Sequence, residues 1–342
     1  MTQAALPTLR TPRLELRPLQ ENDADAIARG VGNYDVSKWL AVVPYPYDAD
    51  DARSFLAHVA AQDKPFWAIC NAHGLQGIIS LDDELAYWVG RDVWGKGYGF
   101  EAAVAVVAHW FSDAENTVLN SGYFDGNMRS GALLRALGFK PTQRITRFAK
   151  SFQQDVVSNQ MTLTRDAWNA RMDFTLYTPR LTLRPLKRED AKAFAALTVP
   201  EVTRNLARVS TGMSVQDVIA DLPRRRWRGY VGFTIGIEKQ GELIGTIGFG
   251  GQPSIGYFIG PEHWGQGIMS EALSAFLPEL FNRFPINRLH ADHFEDNPAS
   301  GTLLRKFGFK EVGRDIHTSK ARLEPAPVIT YALARESLRV PV

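Results

Sequence analysis

Trp94-Gly95-Lys96-Gly97-Tyr98-Gly99-Phe100-Glu101 is the stretch that decides the fold. It follows an apolar, strand-like run, Leu85-Ala86-Tyr87-Trp88-Val89, and leads into Ala102-Ala103-Val104-Ala105-Val106-Val107-Ala108, which reads as a buried helix. Glycines allow close backbone approach and positive φ. The first N–H groups of a helix lack intrahelical partners and point, with the positive end of the dipole, at an anion. Strand, glycine turn and helix together suit a phosphorylated ligand. The construction returns as Ile255-Gly256-Tyr257-Phe258-Ile259 and Trp264-Gly265-Gln266-Gly267-Ile268-Met269-Ser270-Glu271.

Two better-known phosphate loops do not fit. Gly90 to Lys96 matches G-x-x-x-x-G-K, but Gly97 stands where a P-loop needs Ser or Thr, and the second copy has Gln266 for the lysine. A dinucleotide loop wants G-x-G-x-x-G, whereas the first copy reads G-x-G-x-G and the second ends in Met269. Tight turns with glycines for geometry alone would explain one copy. Two copies in matched contexts point to a ligand.

Working outward, the whole chain repeats. Thr11-Pro12-Arg13-Leu14-Glu15-Leu16-Arg17-Pro18-Leu19 recurs as Thr178-Pro179-Arg180-Leu181-Thr182-Leu183-Arg184-Pro185-Leu186, with only the fifth position changed; 178 less 11 is an offset of 167. Trp94 and Trp264, Asn127 and Asn297, and Gly138-Phe139-Lys140 and Gly308-Phe309-Lys310 are each 170 apart. A near-constant offset across whole halves means duplication of a domain, not a short solenoid repeat. The expected units are residues 1–172 and 173–342.

Within each half the elements follow one order. Arg13 to Leu19 alternates and reads as a strand. Glu21 to Arg29 reads as a helix with Asn22 or Asp23 placed to cap it, and Asp48 to Ala61 as another capped by Asp48. Phe66 to Cys70 and Gln76 to Leu81 form a hairpin, matched by Phe233 to Glu238 and Glu242 to Phe249. After the loop and its helix come strands Thr117 to Phe124 and Arg288 to Phe294. Short helices follow, begun by Asn127 and by Asn297-Pro298, and ended by Gly138 and Gly308. The fold class is α/β: two tandem units, each a mixed, mostly antiparallel sheet with helices on both faces.

With 342 residues, each half is long enough to bury a core. Net charge is +2, giving no global signal for nucleic acid or a membrane surface. The single Cys70 excludes an internal disulfide and any cysteine-based metal cluster. No apolar run reaches the length of a membrane span. Met1 to Pro7 lacks the charged-then-apolar layout of a leader, so a cytoplasmic protein is expected, and the lack of Cys/His ligand clusters points to no metal.

Strand, G-x-G loop, helix, strand, Asn-x-x-Ser, Leu-Leu, Gly-Phe, in that order, resembles the GNAT acyltransferases. Thr-Pro-Arg-Leu-x-Leu-Arg-Pro-Leu, Trp264-Gly265-Gln266-Gly267-Ile268-Met269-Ser270-Glu271 and Asn297-Pro298-Ala299-Ser300-Gly301 resemble more narrowly the RimJ/RimL-like branch, which acetylates ribosomal-protein N-termini. The likeness covers nearly the whole chain, twice. It implies acetyl-CoA as cofactor, cradled by Trp94, Gly95, Lys96, Gly97, Tyr98 and Gly99, and by Trp264, Gly265, Gln266, Gly267, Ile268 and Met269. It implies that the strands ending at Val89 and Ile259 splay from the next strand and pair with the pantetheine. Asn127 with Ser130, and Asn297 with Ser300, would face the pantetheine and sulfur, although helix capping explains the asparagines equally well.

The reaction implied is direct attack of a primary amine on the thioester, with proximity supplying much of the rate. Many members use a tyrosine seven residues after the Asn as acid; here Leu134 and Leu304 stand there, leaving Ser130 and Ser300 as replacements. Base candidates are His293 and Glu295 in the second half and Tyr123 and Asp125 in the first, with Glu262 and Asp92 as alternatives. Arg224 to Arg228 would meet an acidic group or simply end a helix. Tyr45, Tyr47 and Trp39 line an acceptor pocket or pack in the core. The acceptor is a small-molecule amine or a protein N-terminus, and the chain a monomer (an internal pseudo-dimer) or a homodimer. Two readings compete with two active halves: one half catalytic and the other structural or CoA-sensing, or a non-catalytic CoA-binding protein.

Overall fold

The computed structural model describes residues 6–62, 64–82 and 84–341. Met1 to Ala5, part of the stretch read for a leader, and Asp83 lie outside the described residues. The chain divides into two compact units, Met1–Arg171 and Met172–Val342.

The first unit runs β1 (Leu9–Arg10), β2 (Glu15–Pro18), α1 (Ala24–Val31), α2 (Tyr34–Ser37), α3 (Ala49–Ala61), β3 (Phe66–Asn71), β4 (Gly74–Leu81), β5 (Leu85–Val89), α4 (Tyr98–Trp110), β6 (Val118–Phe124), α5 (Met128–Leu137), β7 (Lys140–Ala149), β8 (Gln154–Thr164) and α6 (Arg165–Met172). Its sheet has the order β1-β2-β3-β4-β5-β6-β8-β7. Every neighbouring pair is antiparallel except β5 and β6. Ile78 packs with Ile27, Val31 and Leu56 of α1 and α3. Ile79 is fully buried as well. Successive strand residues face opposite sides, so both faces of β4 are covered, the second by α4.

The second unit runs β9 (Leu176–Tyr177), β10 (Thr182–Pro185), α7 (Ala191–Ala196), α8 (Pro200–Thr203), α9 (Val215–Arg225), β11 (Phe233–Lys239), β12 (Glu242–Phe249), β13 (Ile255–Ile259), α10 (Ile268–Arg283), β14 (Arg288–Phe294), α11 (Pro298–Lys306), β15 (Lys310–His317) and β16 (Ala326–Ala334). Here β13-β12-β11-β10-β9 and β14-β16-β15 are separate sheets. Phe174, Trp227, Phe233, Phe276 and Phe284 form an aromatic core beneath the larger one.

Several local readings need correction. The first strand of each unit is shorter than its alternation suggests, because Thr11 N–H bonds the Leu14 carbonyl and turns the chain. Asp23 stands at the N-cap of α1, but neither its side chain nor that of Asn22 makes a cap bond to the helix. A 3-10 turn, Glu21–Asp23, precedes the helix, and the Asp23 carboxylate accepts instead from Gln20 N–H (2.8 Å) and from both Arg17 Nη atoms (2.8 and 2.7 Å). A bidentate guanidinium outbids a cap, since charge-assisted bonds are the stronger kind. Asp190 and Arg184 repeat the arrangement. The basic run ends α9: Arg225 pairs with Asp221 and Trp227 is buried in the aromatic core.

Candidate active site

In each unit a parallel strand pair comes apart. β5 and β6 meet at Leu85 and Ser121 and make no further ladder pairing among the described residues. Ser121 Oγ–H fixes that meeting point on the Leu85 carbonyl (2.7 Å). β13 and β14 are joined by one bridge, Ser254 to His290, just before β13 begins. Both pairs therefore diverge toward their C-terminal ends, at Val89 and Phe124 and at Ile259 and Phe294. A wedge between strands exposes backbone polar groups that need partners.

The glycine loops stand at the mouths of these wedges. After a 3-10 turn, Arg91–Val93 or Pro261–His263, the chain passes Trp94 or Trp264. It then enters left-handed conformations at Gly95 (φ 77°), Gly97 (φ 78°), Gly265 (φ 72°) and Gly267 (φ 73°). Gly97 and Gly267 are the N-caps of α4 and α10, and neither helix has a side-chain cap there. The leading amides of each helix thus face outward over the loop. A Cβ on Gly95 or Gly265 would meet no protein atom within 4 Å, so the space above the loop is open. Tyr98 is half-buried; Gly99, Ile268 and Met269 are buried. At these positions the backbone, not the side chain, is what the loop presents. A Cβ on Gly99 would make only ordinary contacts, and the second copy carries the buried Met269 at that place. Lys96 is exposed, while Gln266 Nε2–H bonds the Glu262 carbonyl (2.7 Å).

Each tryptophan closes back on its strand. Trp94 Nε1–H donates to the Val89 carbonyl (2.9 Å) and Trp264 Nε1–H to that of Ile259 (3.0 Å). One lone pair of each strand-end carbonyl is taken by the loop itself.

A tether beneath the loop went unnoticed in the sequence. The Glu101 carboxylate, 2% exposed, accepts from Thr11 Oγ1–H (2.5 Å), Arg13 N–H (3.1 Å) and Arg13 Nε–H (2.6 Å). Arg13 Nη1–H then reaches the Lys96 carbonyl (2.8 Å), and its guanidinium lies over the Tyr98 ring. Thr178, Arg180, Glu271 and Gln266 repeat every bond. Burial raises the Glu271 carboxyl, but the bonds from Thr178 and Arg180 outweigh it and hold it below the usual range. The near-identical opening strands and the glutamate ending each loop were the available signal.

A second missed pair faces the wedge. Tyr87 Oη lies 2.9 Å from Ser130 Oγ, and Tyr257 Oη 2.9 Å from Ser300 Oγ. Asn127 and Asn297 are the N-caps of α5 and α11, with Oδ1 accepting from the serine amides (3.2 and 3.4 Å). The cap thus fixes the serine, and the serine meets the tyrosine. Burial pushes the Tyr257 phenol up to about 12 and raises that of Tyr87 further. Both stay protonated near neutral pH.

The base candidates separate. His293 does not face the open wedge; it is 5% exposed, stacked on Tyr331 and pressed under α11. A Cβ on Gly301 would come within 2.4 Å of its Nε2, so that glycine makes room for the ring. Its Nδ1–H donates to the Phe294 carbonyl (2.8 Å). Tyr123 sits likewise against Gly131. Glu295 and Asp125 lie at the strand ends and are bridged by Arg314 (2.6 Å) and Arg144 (3.0 Å). Asp92 is exposed, as is Glu262, which lies 3.6 Å from His263. Tyr47 packs against the core of α1 and α3, whereas Tyr45 is 48% exposed.

Residues 13–140 and 180–310 each match the model of the acetyltransferase (GNAT) domain. The chain belongs to the GNAT acetyltransferase family. An uncharacterized N-acetyltransferase, p20 of Bacillus licheniformis, is 34% identical over 161 residues, 44% of this chain and 90% of that protein. YoaA of Bacillus subtilis (strain 168), also an uncharacterized N-acetyltransferase, is 38% identical over 152 residues, 40% of this chain and 84% of its own length. The [ribosomal protein uS5]-alanine N-acetyltransferase of Escherichia coli (strain K12) is 29% identical over 107 residues, 25% and 55% of the two chains. The resemblance to the RimJ/RimL-like branch agrees with that last relative. Both units of this acetyltransferase carry the GNAT loop, and no helix among the described residues is long and apolar enough to cross a membrane.

Proposed function

We propose that residues 1–172 and 173–342 are two complete acetyltransferase domains, each transferring acetyl from acetyl-CoA to the nitrogen of a primary amine. The observation that carries this reading is the parted strand pair with a doubly left-handed glycine loop at its mouth, present in both units. The amides of Gly95 to Gly99 and of Gly265 to Met269 hold the pyrophosphate, helped by the helix dipoles. The open space over Gly95 and Gly265 fits that use. Acetyl-CoA, when bound, supplies a thioester carbon that takes the amine lone pair and a sulfur that leaves with the C–S electrons.

The chain's own residues then manage protons. Glu295 and Asp125 at the open strand ends accept, through water, the proton shed by the amine. His293 drops out of that role because its ring is buried against Gly301 and Tyr331. Tyr257 with Ser300, and Tyr87 with Ser130, aim a hydroxyl donor at the departing sulfur. A phenol at about 12 stands roughly 3.5 pH units above an ordinary thiol, about 5 kcal/mol uphill for outright transfer. The pair therefore stabilises the thiolate by hydrogen bonding, and water protonates it.

A primary amine of a small molecule or of a protein N-terminus is the acceptor class, the latter supported by the ribosomal-protein relative. The test uses Gly97→Val and Gly267→Val, each placing a side chain in a left-handed position at the phosphate loop. Each single variant should lose one of two CoA equivalents in calorimetry and part of the thiol release from acetyl-CoA. The double variant should lose both. CoA binding that survives in the double variant would sink the reading. If Gly97→Val alone abolishes turnover, the second unit is not catalytic.

A further inference from the structure

The two clefts differ at their mouths in a correlated way. In the first unit the segment from Tyr34 to Tyr45 bridges the two strand ends. Asp35 reaches Arg91, just past β5, at 3.5 Å. The Trp39 ring lies 3.8 Å from where a Cβ on Gly126 would stand, just past β6. Lys150 N–H, in the turn after β7, bonds the Ala41 carbonyl (2.9 Å). Four aromatic rings gather on this bridge. Tyr34 lies 5.0 Å from Tyr45 and 6.2 Å from Phe152, and Trp39 shares the Lys38 ammonium with Tyr34. Tyr34 is 41% and Tyr45 48% exposed.

The second unit has the same bridge. Lys320 N–H bonds the Ala207 carbonyl (3.1 Å), and α8 stands where α2 does. That register places Pro200 at Tyr34, Asn205 at Trp39, Thr211 at Tyr45 and Arg322 at Phe152. Asp296 replaces Gly126. No aromatic ring remains at these four positions. In their place Asp296 binds Arg322 (2.7 Å) and Arg204 (3.0 Å), and Arg322 Nε–H bonds the Arg204 carbonyl (2.8 Å). The neighbouring strand-end charges, Glu295 with Arg314 and Glu311, pair among themselves.

We propose that the first cleft selects an amine carrying an aromatic or other flat apolar group, and that the second does not. The proposal rests on transfer taking place in these clefts. The amine must enter at the divergent strand ends, and in the first unit exposed rings stand there beside the Asp35–Arg91 and Asp125–Arg144 ion pairs. Half-exposed aromatics clustered beside a reaction centre offer stacking and apolar burial at little entropic cost. In the second unit a ring would have to displace a hydrogen-bonded ion network and leave its charges unpaired.

The experiment compares phenethylamine with ethanolamine in the full chain. Thiol release is read in Gly267→Val, which keeps the first cleft, and in Gly97→Val, which keeps the second. Calorimetry of both amines is run with CoA present. The first cleft should favour phenethylamine by about tenfold or more in kcat/KM, and the second should show no such preference. Adding Phe152→Arg to the Gly267→Val chain should remove most of the preference while the thermal midpoint is followed. Equal preference in both clefts, or a preference indifferent to Phe152→Arg, overturns the proposal. If no amine yields thiol, the transfer reading fails, and calorimetry still decides this one: phenethylamine binding no tighter than ethanolamine to the first cleft refutes it.

Discussion

Glu101→Gln tests the tether beneath the first loop. Every group facing the Glu101 carboxylate is a donor: the Thr11 hydroxyl, the Arg13 amide and the Arg13 guanidinium. Glutamine keeps the shape but turns one acceptor into an NH2 group facing N–H donors. Breaking a buried ion pair from one side costs about 3–5 kcal/mol. The Arg13 side chain is 29% exposed and can partly rehydrate, so about 2–3 kcal/mol is the appropriate loss. In the second unit the partners are more open, Glu271 at 16% and Arg180 at 44%, and Glu271→Gln should cost about 1–2 kcal/mol. For a unit of this size each kcal/mol moves the midpoint by about 2–4 °C. Calorimetric melting should therefore show a drop of roughly 5–10 °C for Glu101→Gln and about half that for Glu271→Gln. Arg13 also loses its hold beside the Lys96 carbonyl, so CoA affinity in the first unit should fall about tenfold, one lost charge-assisted contact. A larger drop for Glu271→Gln than for Glu101→Gln would refute the burial argument. Destabilisation with unchanged CoA affinity would refute the link to the loop.

Tyr257→Phe, made in the Gly97→Val background, should lower kcat about ten- to hundredfold with little change in KM, because the hydroxyl acts only as sulfur charge develops. Unchanged kcat in steady-state thiol release would remove Tyr257 from the mechanism. Acid stability gives the other prediction. Burial alone raises the Asp190 carboxyl, but the bonds from Arg184 and the Lys187 amide outweigh it and lower it. A carboxyl lower in the folded than in the unfolded chain contributes stability above about pH 3.9, and that contribution is lost as pH falls through the folded value. Urea midpoints should fall below about pH 4, and Asp190→Asn should be less stable near neutrality with a shallower acid limb. An acid limb that Asp190→Asn leaves unaltered would contradict the assignment.

What the sequence disclosed follows the range of the interactions. The loops, the Asn caps and the Gly138 and Gly308 helix ends are local devices, set by residues within one turn of each other, and they stand where their spacing put them. The Tyr87–Ser130 and Arg13–Glu101 pairs join residues 43 and 88 positions apart, and no periodicity encodes such a meeting. The burial of His293 is legible in the sequence. Leu289 and Ala291 alternate with it on the buried side of β14, and Gly301 sits inside α11. A glycine in a helix costs about 1 kcal/mol relative to alanine and so implies something packed against it. The buried ring was announced twice.

A duplicated chain carries a further kind of information, because it solves one fold twice. Where both copies keep a distant pair, as with Arg13 and Glu101 against Arg180 and Glu271, the pair supports the fold or the chemistry common to both. Where several distant positions change together, the change marks a surface with a different task. Trp39, Gly126 and Phe152 give way to Asn205, Asp296 and Arg322, from three separate parts of the chain. Gly126 (φ 86°) lets Trp39 lean on the turn before α5, while Asp296 at the same place needs Arg204 and Arg322 to satisfy its charge. The φ of 86° at Gly126 disfavours an aspartate there, and without Asp296 the second copy would leave Arg204 and Arg322 short of a shared partner. The tryptophan, two left-handed glycines and glutamate of the loop are thus kept in both copies while the mouth varies as a block, which is why the proposal above assigns acceptor choice to the block.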